Sequence, residues 1–406
     1  MRERAFNKMI KFVLLLPALF IVLAQRTLSP VILIRTSSMD TSRIGWFHIL
    51  NWHLRAKVET KSLDLFFEKR SLPQPASQIF LKMWTNQVRA VPFRFLWEVV
   101  HRVNQALPSD KYTLDLPKSF PFSDNQFVRN FQASEPLFFS LNDVELLEAK
   151  RQIKQMSVSN DFICFHNRDS AFLDANLPEN NWSYHDHRDS NIQLYAPAIK
   201  YLADSGINCI RLGTVVRDAL EPEFQKSVID YQGTKKQSAL LDLYLASHCK
   251  FFITTDSGVN ILPYMFNRPV VLLNWINLVN IFRYMPKTVF IPKMYRSLDT
   301  AEYFDFYDML YGPVRNIARK KQLDAQNAEI IENSPDEILH AVREMQLRLS
   351  GRWHESKEDK LRQKKFWNLF GQTACRHDSF HLSARFLKKY ENLLDRSYEK
   401  YVKYEK

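Results

Sequence analysis

Short apolar runs that alternate with helical patterns limit the folds open to the middle of this chain. Because these runs are apolar on both faces, they are typical of strands in a parallel sheet that helices cover on each side. Nearer the N-terminus, a short strand is predicted at 31–35, followed by a Ser/Thr/Asp turn. Helical spacing of apolar residues continues over 76–106. The sequence therefore predicts an α/β fold with two Rossmann-like lobes and a cleft between them. The predicted second lobe has strands at 161–165, 207–212, 227–231, 250–255 and 269–273, with helices at 189–204 and 238–249.

The length of 406 residues agrees with two lobes, since a single core rarely extends beyond about 250–300 residues. Residues 107–135 are rich in Pro, Ser, Asp and Asn, which is typical of a connecting loop. The charged helical pattern that begins at 335 predicts helices that pack back on the lobes. We predict a hydrophobic membrane-anchor helix at 1–27, an N-terminal lobe at 28–155, a C-terminal lobe at 156–330 and C-terminal helices at 331–406.

The N-terminal segment joins a basic flank to the apolar run FVLLLPALFIVLA at 12–24. This run is shorter than the roughly 20 apolar residues that a spanning helix needs, and Pro17 interrupts it. Positive charge at both ends, with Arg26 beyond the run, favours a helix that lies in a membrane surface with its arginines on lipid phosphates. Two alternatives stay open, a true span and a signal peptide that is cleaved after Ala24.

The net charge of +12 leaves three classes of partner: nucleic acid, an anionic membrane surface or an anionic substrate. The basic residues are spread along the chain and no nucleic-acid-binding motif accompanies them, which excludes nucleic acid. Four cysteines without a CxxC spacing argue against a disulfide framework or a zinc site. They favour a reducing, cytoplasmic setting.

Polar residues follow three predicted strands of the second lobe, at the edge where an open α/β sheet binds its ligands. A Ser-Gly turn lets backbone N–H groups approach a ligand closely, and the start of a helix adds partial positive charge. Arginine offers forked donors that match phosphate oxygens. These features predict a diphosphate site, in which Asp256 holds a ribose hydroxyl or braces the loop. The alternative is that Asp256 and Ser257 only cap a helix. The predicted binding residues are Arg168, Asp169, Arg211, Gly213, Asp256, Ser257 and Gly258.

A dense polar cluster, WSYHDHRDSNI, occupies 182–192. His185 and His187 lack the i,i+4 spacing of a helical zinc pair and no third ligand is evident, so we predict no metal site. One interpretation is an active-site loop in which His185 or Asp186 acts as general base on an acceptor hydroxyl. The other is a solvated loop that caps the next helix from Asp189 or Ser190. Since no Asp-x-Asp pair follows a strand, arginines and helix ends would stabilise a leaving phosphate without a metal.

Four segments together resemble a bacterial family of glycosyltransferases found with surface-polysaccharide biosynthesis. They are LIRTSSMDTSRIGWF (33–47), CFHNRDSAFL (164–173), YHDHRDSNIQLYAPAIKYLADSGINCIRLG (184–213) and DLYLASHCKFFITTDSGVNILPYMFNRPVVLLN (242–274). More distantly, 252–274 is similar to the nucleotide-binding segment of heptosyltransferases, and the Arg168-Asp169 strand end is similar to that of GDP-fucose-using enzymes.

The resemblance implies a GT-B fold with a nucleotide-sugar donor in the C-terminal lobe and an acceptor handled by the N-terminal lobe. There, Asp40, Ser42 and Arg43 stand at the turn after the first strand and are the predicted acceptor-binding residues. Two residues depart from the family pattern. Asn167 stands where a small apolar residue is usual, and Thr255 where similar donor-binding turns often have Gly or Ser.

The sequence thus predicts a metal-independent glycosyltransferase, without a cofactor, that moves a sugar from a nucleotide-sugar donor to a lipid-linked or surface-polysaccharide acceptor. We expect it at the cytoplasmic face of the inner membrane, because lipid-linked acceptors lie in the bilayer and activated sugars in the cytoplasm. Two other functions stay open. One is a catalytically inactive sugar- or lipid-binding scaffold of the same fold. The other is an exported polysaccharide hydrolase, if residues 1–24 are a cleaved signal.

Overall fold

The chain divides into two compact units, Met1–Phe120 with Ser134–Leu137 and Pro121–Ala133 with Phe138–Lys406. The four predicted parts of the chain and their boundaries stay a prediction. The computed structural model describes residues 9–41, 44–45, 62–69, 77–114, 139–156, 158, 161–176, 179, 181–213, 215–231, 237–281, 283, 285–317, 319–371 and 376–404.

The first unit is an α/β unit with a parallel sheet. Its described helices and strands are α1 (Leu15–Leu28), β1 (Leu33–Asp40), β2 (Ser62–Lys69), α2 (Gln78–Thr85), β3 (Arg89–Val91) and α3 (Arg94–Ala106). The three strands pair in parallel in the order β1-β2-β3. The helical pattern predicted over 76–106 is therefore interrupted by a strand, β3, which the periodicity did not reveal.

β1 extends through residues predicted as a turn, which corrects the strand predicted at 31–35. Thr36 and Ser37 are buried within it, and the Thr36 hydroxyl lies 3.1 Å from Nδ1 of His101 on α3. A small polar side chain is stable in a buried strand when its hydroxyl has a hydrogen-bond partner. The strand therefore continues through this polar segment, and it ends at Asp40.

α1 packs one face on α3 over most of its length. Pro17 stands in the first turn of α1, where its missing N–H has no helical partner to lose. The packed face is fixed by a buried amide pair, in which Asn104 Nδ2 donates to Gln25 Oε1 at 2.8 Å. Among the described residues, no helix combines the length and the apolar content needed to cross a membrane. The apolar part of the packed face is Ala18 and Val22 against Val99 and Val100.

The second unit is larger and begins with α4 (Asp143–Lys154), β4 (Phe162–Phe165), α5 (Ala171–Asn176), α6 (Ala196–Asp204), β5 (Asn208–Arg211), α7 (Pro222–Gln225) and β6 (Val228–Asp230). It continues with α8 (Ala239–His248), β7 (Phe252–Thr254), α9 (Ile261–Met265), β8 (Val270–Trp275), β9 (Thr288–Pro292), β10 (Met294–Ser297), α10 (Phe306–Leu310), α11 (Lys320–Ala325) and β11 (Ala328–Ile331). The C-terminal part adds α12 (Pro335–Leu349), α13 (Lys357–Asn368), β12 (Phe380–Leu382), α14 (Ala384–Lys389) and α15 (Glu391–Tyr404).

A seven-stranded parallel sheet organises this unit, with the strand order β12-β9-β8-β7-β4-β5-β6. The five strands predicted from apolar runs are all present as β4 to β8, which confirms an α/β fold with a parallel sheet. β12 was not predicted, because the C-terminal region was interpreted as helices alone. It pairs with β9, so this region also extends the sheet.

Candidate functional site

The strand order places a topological switch point between β4 and β7. From β4 the chain moves outward to β5 and β6, and from β7 it moves in the opposite direction to β8 and β9. Since the connections leave on opposite sides, they open a crevice at the carboxyl ends of the two strands, where doubly wound sheets bind ligands. Two of the three predicted polar strand ends, at Arg168 and at Asp256, flank this point.

Buried polar side chains tie the two strand ends together. The backbone N–H of Arg168 donates to Thr255 Oγ1 at 3.1 Å. Asn167 Nδ2 donates to the Ser190 carbonyl at 3.1 Å, and Asn167 Oδ1 accepts from Arg211 Nη2 at 3.3 Å. Asn167 and Thr255 are the two departures from the family pattern. Both are buried and link elements of the site.

Arg211 lies within β5 and not beyond it, and its side chain is fully buried. Nη1 donates to the Asp218 carbonyl at 2.8 Å, and the Asp230 carboxylate is 3.7 Å away. A guanidinium enclosed by protein acceptors is placed to brace the loops, so direct contact with a diphosphate stays a prediction. Gly213 follows in a crowded position, because a Cβ there would come within 3.0 Å of Val216 Cγ1.

Arg168 is mostly buried and forms an ion pair with Asp189. Burial raises the pKa of Asp189 to about 6, although the charge of Arg168 acts in the opposite direction. Burial also lowers the pKa of Arg168, and the carboxylates of Asp189 and Asp256 oppose that shift. The guanidinium and carboxylate therefore form a partly desolvated pair at the mouth of the crevice.

The polar cluster at 182–192 folds over the strand ends. Its core is a 3-10 helix, Ser183–Arg188. Arg188 Nη2 donates to both the carbonyl and Oδ1 of Asp256 at 2.9 Å. Lys293 Nζ, which is buried just beyond β9, donates to the carbonyls of His187 and Asp189 at 3.1 and 2.5 Å. The cluster is thus held against the switch point by its own Arg188 and by Lys293 from beyond β9.

The predicted helix cap in this cluster is wrong. Asn191, and neither Asp189 nor Ser190, caps the following 3-10 helix, with its side chain accepting from the N–H of Gln193. Asp189 is engaged with Arg168 instead, and the N–H of Ser190 donates to the Arg168 carbonyl at 3.0 Å. Asp189 and Ser190, which this interpretation assigned as caps of the next helix, therefore lie at the crevice instead.

His187 lies among the cations Arg168, Arg188 and Lys293. The sequence pattern predicted no role for it once a metal site was excluded. Both ring nitrogens are buried and have no hydrogen-bond partner among the described residues. Burial, together with the charges of Arg188, Lys293 and Arg168, lowers the pKa of His187 to about 4, so the imidazole is neutral near pH 7. The three cations thus converge on one region.

The remaining predicted binding residues stand at the same edge in different environments. Asp169 braces two loops, since its carboxylate accepts from the N–H groups of Ala171 and Arg217. Ser257 is buried and its Oγ has no partner among the described residues. Gly258 is exposed and begins a short 3-10 helix, Gly258–Asn260, that leads into α9.

The predicted catalytic and acceptor residues are described only in part. Asp186 is exposed on the 3-10 helix at the crevice, and the backbone of His185 lies beside it in the same helix. In the first unit, Asp40 ends β1. The side chain of His185 and the predicted acceptor residues Ser42 and Arg43 lie outside the described residues. Their roles stay predictions. No group of three His, Cys, Asp or Glu residues placed to hold a metal ion occurs in the described part of the chain.

Comparison with known proteins gives matches only among solved structures. No family model and no curated protein matches the chain. It is similar to E. coli ADP-heptose LPS heptosyltransferase II, with 14% identity over 78% of this chain and 99% of the other and a TM-score of 0.43. It is also similar to a family 9 glycosyl transferase from Veillonella parvula, with 13% identity over 78% and 97% of the two chains and a TM-score of 0.46.

A third similar structure is the iron-containing dodecameric glycosyltransferase TibC from enterotoxigenic E. coli, with 16% identity, 78% and 76% coverage and a TM-score of 0.41. All three are glycosyltransferases, the class that the sequence motifs predict. With TM-scores below 0.5, these similarities decide neither the reaction nor the substrate of this chain.

Proposed function

We propose that the second unit binds the diphosphate of a nucleotide-sugar at the β4–β7 switch point and that the chain is a glycosyltransferase. The observation that carries this proposal is the convergence of Arg168, Arg188 and Lys293 on the switch point. A diphosphate brings two negative charges into a partly desolvated crevice, and such charge is stable there only beside fixed cations and N–H donors. We propose that the turn at 256–258 adds backbone N–H donors other than that of Ser257, which donates to the Thr255 carbonyl.

In this proposal, two carboxylates occupy the cations until a ligand arrives. Asp189 pairs with Arg168, and Asp256 pairs with Arg188. Carboxylate and phosphate oxygens compete for the same guanidinium donors. Diphosphate binding would therefore displace Asp189 from Arg168, while Asp256 would keep bracing the loop through Arg188 or accept from a ribose hydroxyl.

During transfer, the bond between the sugar and the diphosphate breaks and negative charge grows on the leaving diphosphate. Cations that are already in place stabilise that charge without further rearrangement, so we propose a reaction that requires no metal ion and no cofactor. The acceptor hydroxyl must lose a proton as it attacks. His185 and Asp186 stay our proposed bases, and the neutral imidazole of His187 is an additional candidate in the same segment.

We propose a lipid-linked or surface-polysaccharide acceptor, bound through Asp40, Ser42 and Arg43. We also propose a site at the cytoplasmic face of the inner membrane, since a nucleotide-sugar and a lipid-linked acceptor would meet at that surface. The free, buried thiols of Cys164, Cys209 and Cys249 agree with a reducing compartment.

A thermal-shift screen against UDP-, GDP-, ADP- and dTDP-sugars tests the diphosphate donor, and CMP-sugars, which carry a single phosphate, are screened beside them. We expect at least one donor to raise the free energy of unfolding by about 2.7 kcal/mol when it is present at about 100 times its Kd. The corresponding free sugars serve as controls and should give no shift, because they lack the diphosphate. If every nucleotide-sugar leaves the melting temperature unchanged, the proposal is wrong.

A further inference from the structure

The outward face of α1 carries an apolar stripe that no described residue covers. The stripe, defined as Phe12 in the helical segment just before α1 and Leu16, Phe20 and Leu23 within α1, is 79%, 70%, 74% and 63% exposed. Spacings of four and three residues place these side chains on one side of a helix. The opposite side is the one that packs on α3. The stripe is about 16 Å long at a rise of 1.5 Å per residue.

Basic residues flank this stripe in the sequence. Residues 1–35 contain a single acidic residue, Glu3. Lys11 pairs with Glu98 and Gln25 with Asn104, so α1 and α3 run in the same direction. The exposed Arg94, one turn before Glu98 on α3, consequently lies toward the helical segment that precedes α1. The basic residues of 1–35 are Arg2, Arg4, Lys8, Lys11, Arg26 and Arg35.

We propose that the stripe lies in the surface of an anionic phospholipid bilayer, with α1 parallel to the membrane plane. An amphipathic helix with a strongly basic surround binds such a surface through its apolar face and through attraction to lipid headgroups. A second copy of the chain is a poorer occupant of the stripe, because it would bring two strongly basic segments together. The packed face of α1 remains on α3, so the helix attaches the first unit directly to the lipid surface.

This inference is independent of the donor site, since it would hold even if the second unit transferred no sugar. Co-sedimentation of the full chain with phosphatidylcholine vesicles, with and without phosphatidylglycerol, measures it. We expect binding to the phosphatidylglycerol-containing vesicles that weakens as salt is raised. Leu16→Gln with Phe20→Gln should weaken that binding at least about tenfold, because two large apolar side chains are lost from the interface.

The matched control is Val144→Gln with Leu147→Gln on α4, two apolar residues that are 78% and 72% exposed. This pair should leave vesicle binding unchanged. All four positions are exposed, so neither variant should shift the melting temperature, and donor binding should be the same in both. Equal vesicle binding by the two variants would overturn the inference. So would a stripe variant that changes the oligomeric state while its vesicle binding persists, since the stripe would then bind a second copy.

Discussion

Arg168→Gln is expected to weaken nucleotide-sugar binding about 10- to 150-fold. A hydrogen bond to a charged group contributes about 1.5–3 kcal/mol, and Arg168 is the cation that stands at the switch point itself. Glutamine keeps one donor and most of the side-chain length but loses the charge and the fork. Isothermal titration with the donor identified by the thermal-shift screen measures the change.

The control for this variant is Arg268→Gln. Arg268 precedes β8 and donates through Nε to the Cys249 carbonyl at 2.8 Å, at the opposite edge of the same sheet. Both variants remove a part-buried arginine from the second unit, so both should lower the melting temperature. We expect Arg268→Gln to keep the wild-type Kd. Equal affinity for the two variants would remove Arg168 from the diphosphate site.

Asp189→Asn is expected to act in the opposite direction and to tighten nucleotide-sugar binding about 10- to 30-fold. In the wild type, the ligand must displace a charged partner from Arg168, and such a hydrogen bond is worth about 1.5–3 kcal/mol. The amide of asparagine still fills the position but offers a weaker partner to the guanidinium. Weaker binding by this variant would show that Asp189 contacts the ligand favourably instead of competing with it.

The competition also predicts a pH dependence. Burial raises the pKa of Asp189 to about 6, so the carboxylate begins to accept a proton as the pH falls through that value. Protonation removes the competing charge, and wild-type affinity should therefore increase from pH 7.5 to pH 5.5, while Asp189→Asn shows a flat profile. A nucleotide-sugar is the right probe, because both of its phosphates are esterified and neither titrates in this range. Parallel pH profiles of the two proteins would contradict the assignment.

The position of the candidate site could be predicted from the sequence because it depends on strands, and the strands have a clear apolar pattern. β4 and β7 end where the apolar runs end, and the residues at the carboxyl edge follow from the parallel arrangement. The switch point itself required the strand order, which no local pattern contains. Lys293 was missed for a related reason, since β9 was not predicted and its polar end had no place in the sheet.

The direction of individual side chains could not be predicted, because it depends on the exact position of each residue in its strand and on contacts with distant parts of the sequence. Arg211 was expected to contact the diphosphate, whereas its guanidinium donates to the Asp218 carbonyl and to Asn167 Oδ1. Successive side chains of a strand point to opposite faces of the sheet, so the exact position of a residue in the strand decides which face it occupies. The pairing of Arg168 with Asp189 depends on how the 182–192 cluster folds back, and Lys293 sets that fold from a distant part of the sequence.

A crystal structure of the second unit's site with a bound nucleotide-sugar tests the central claim most directly. We expect the diphosphate at the carboxyl ends of β4 and β7, with its oxygens within hydrogen-bond distance of the Arg168 guanidinium and with Asp189 moved off that group. A diphosphate bound at another edge of the sheet, or one bound while the pair of Arg168 and Asp189 stays intact, would contradict the account.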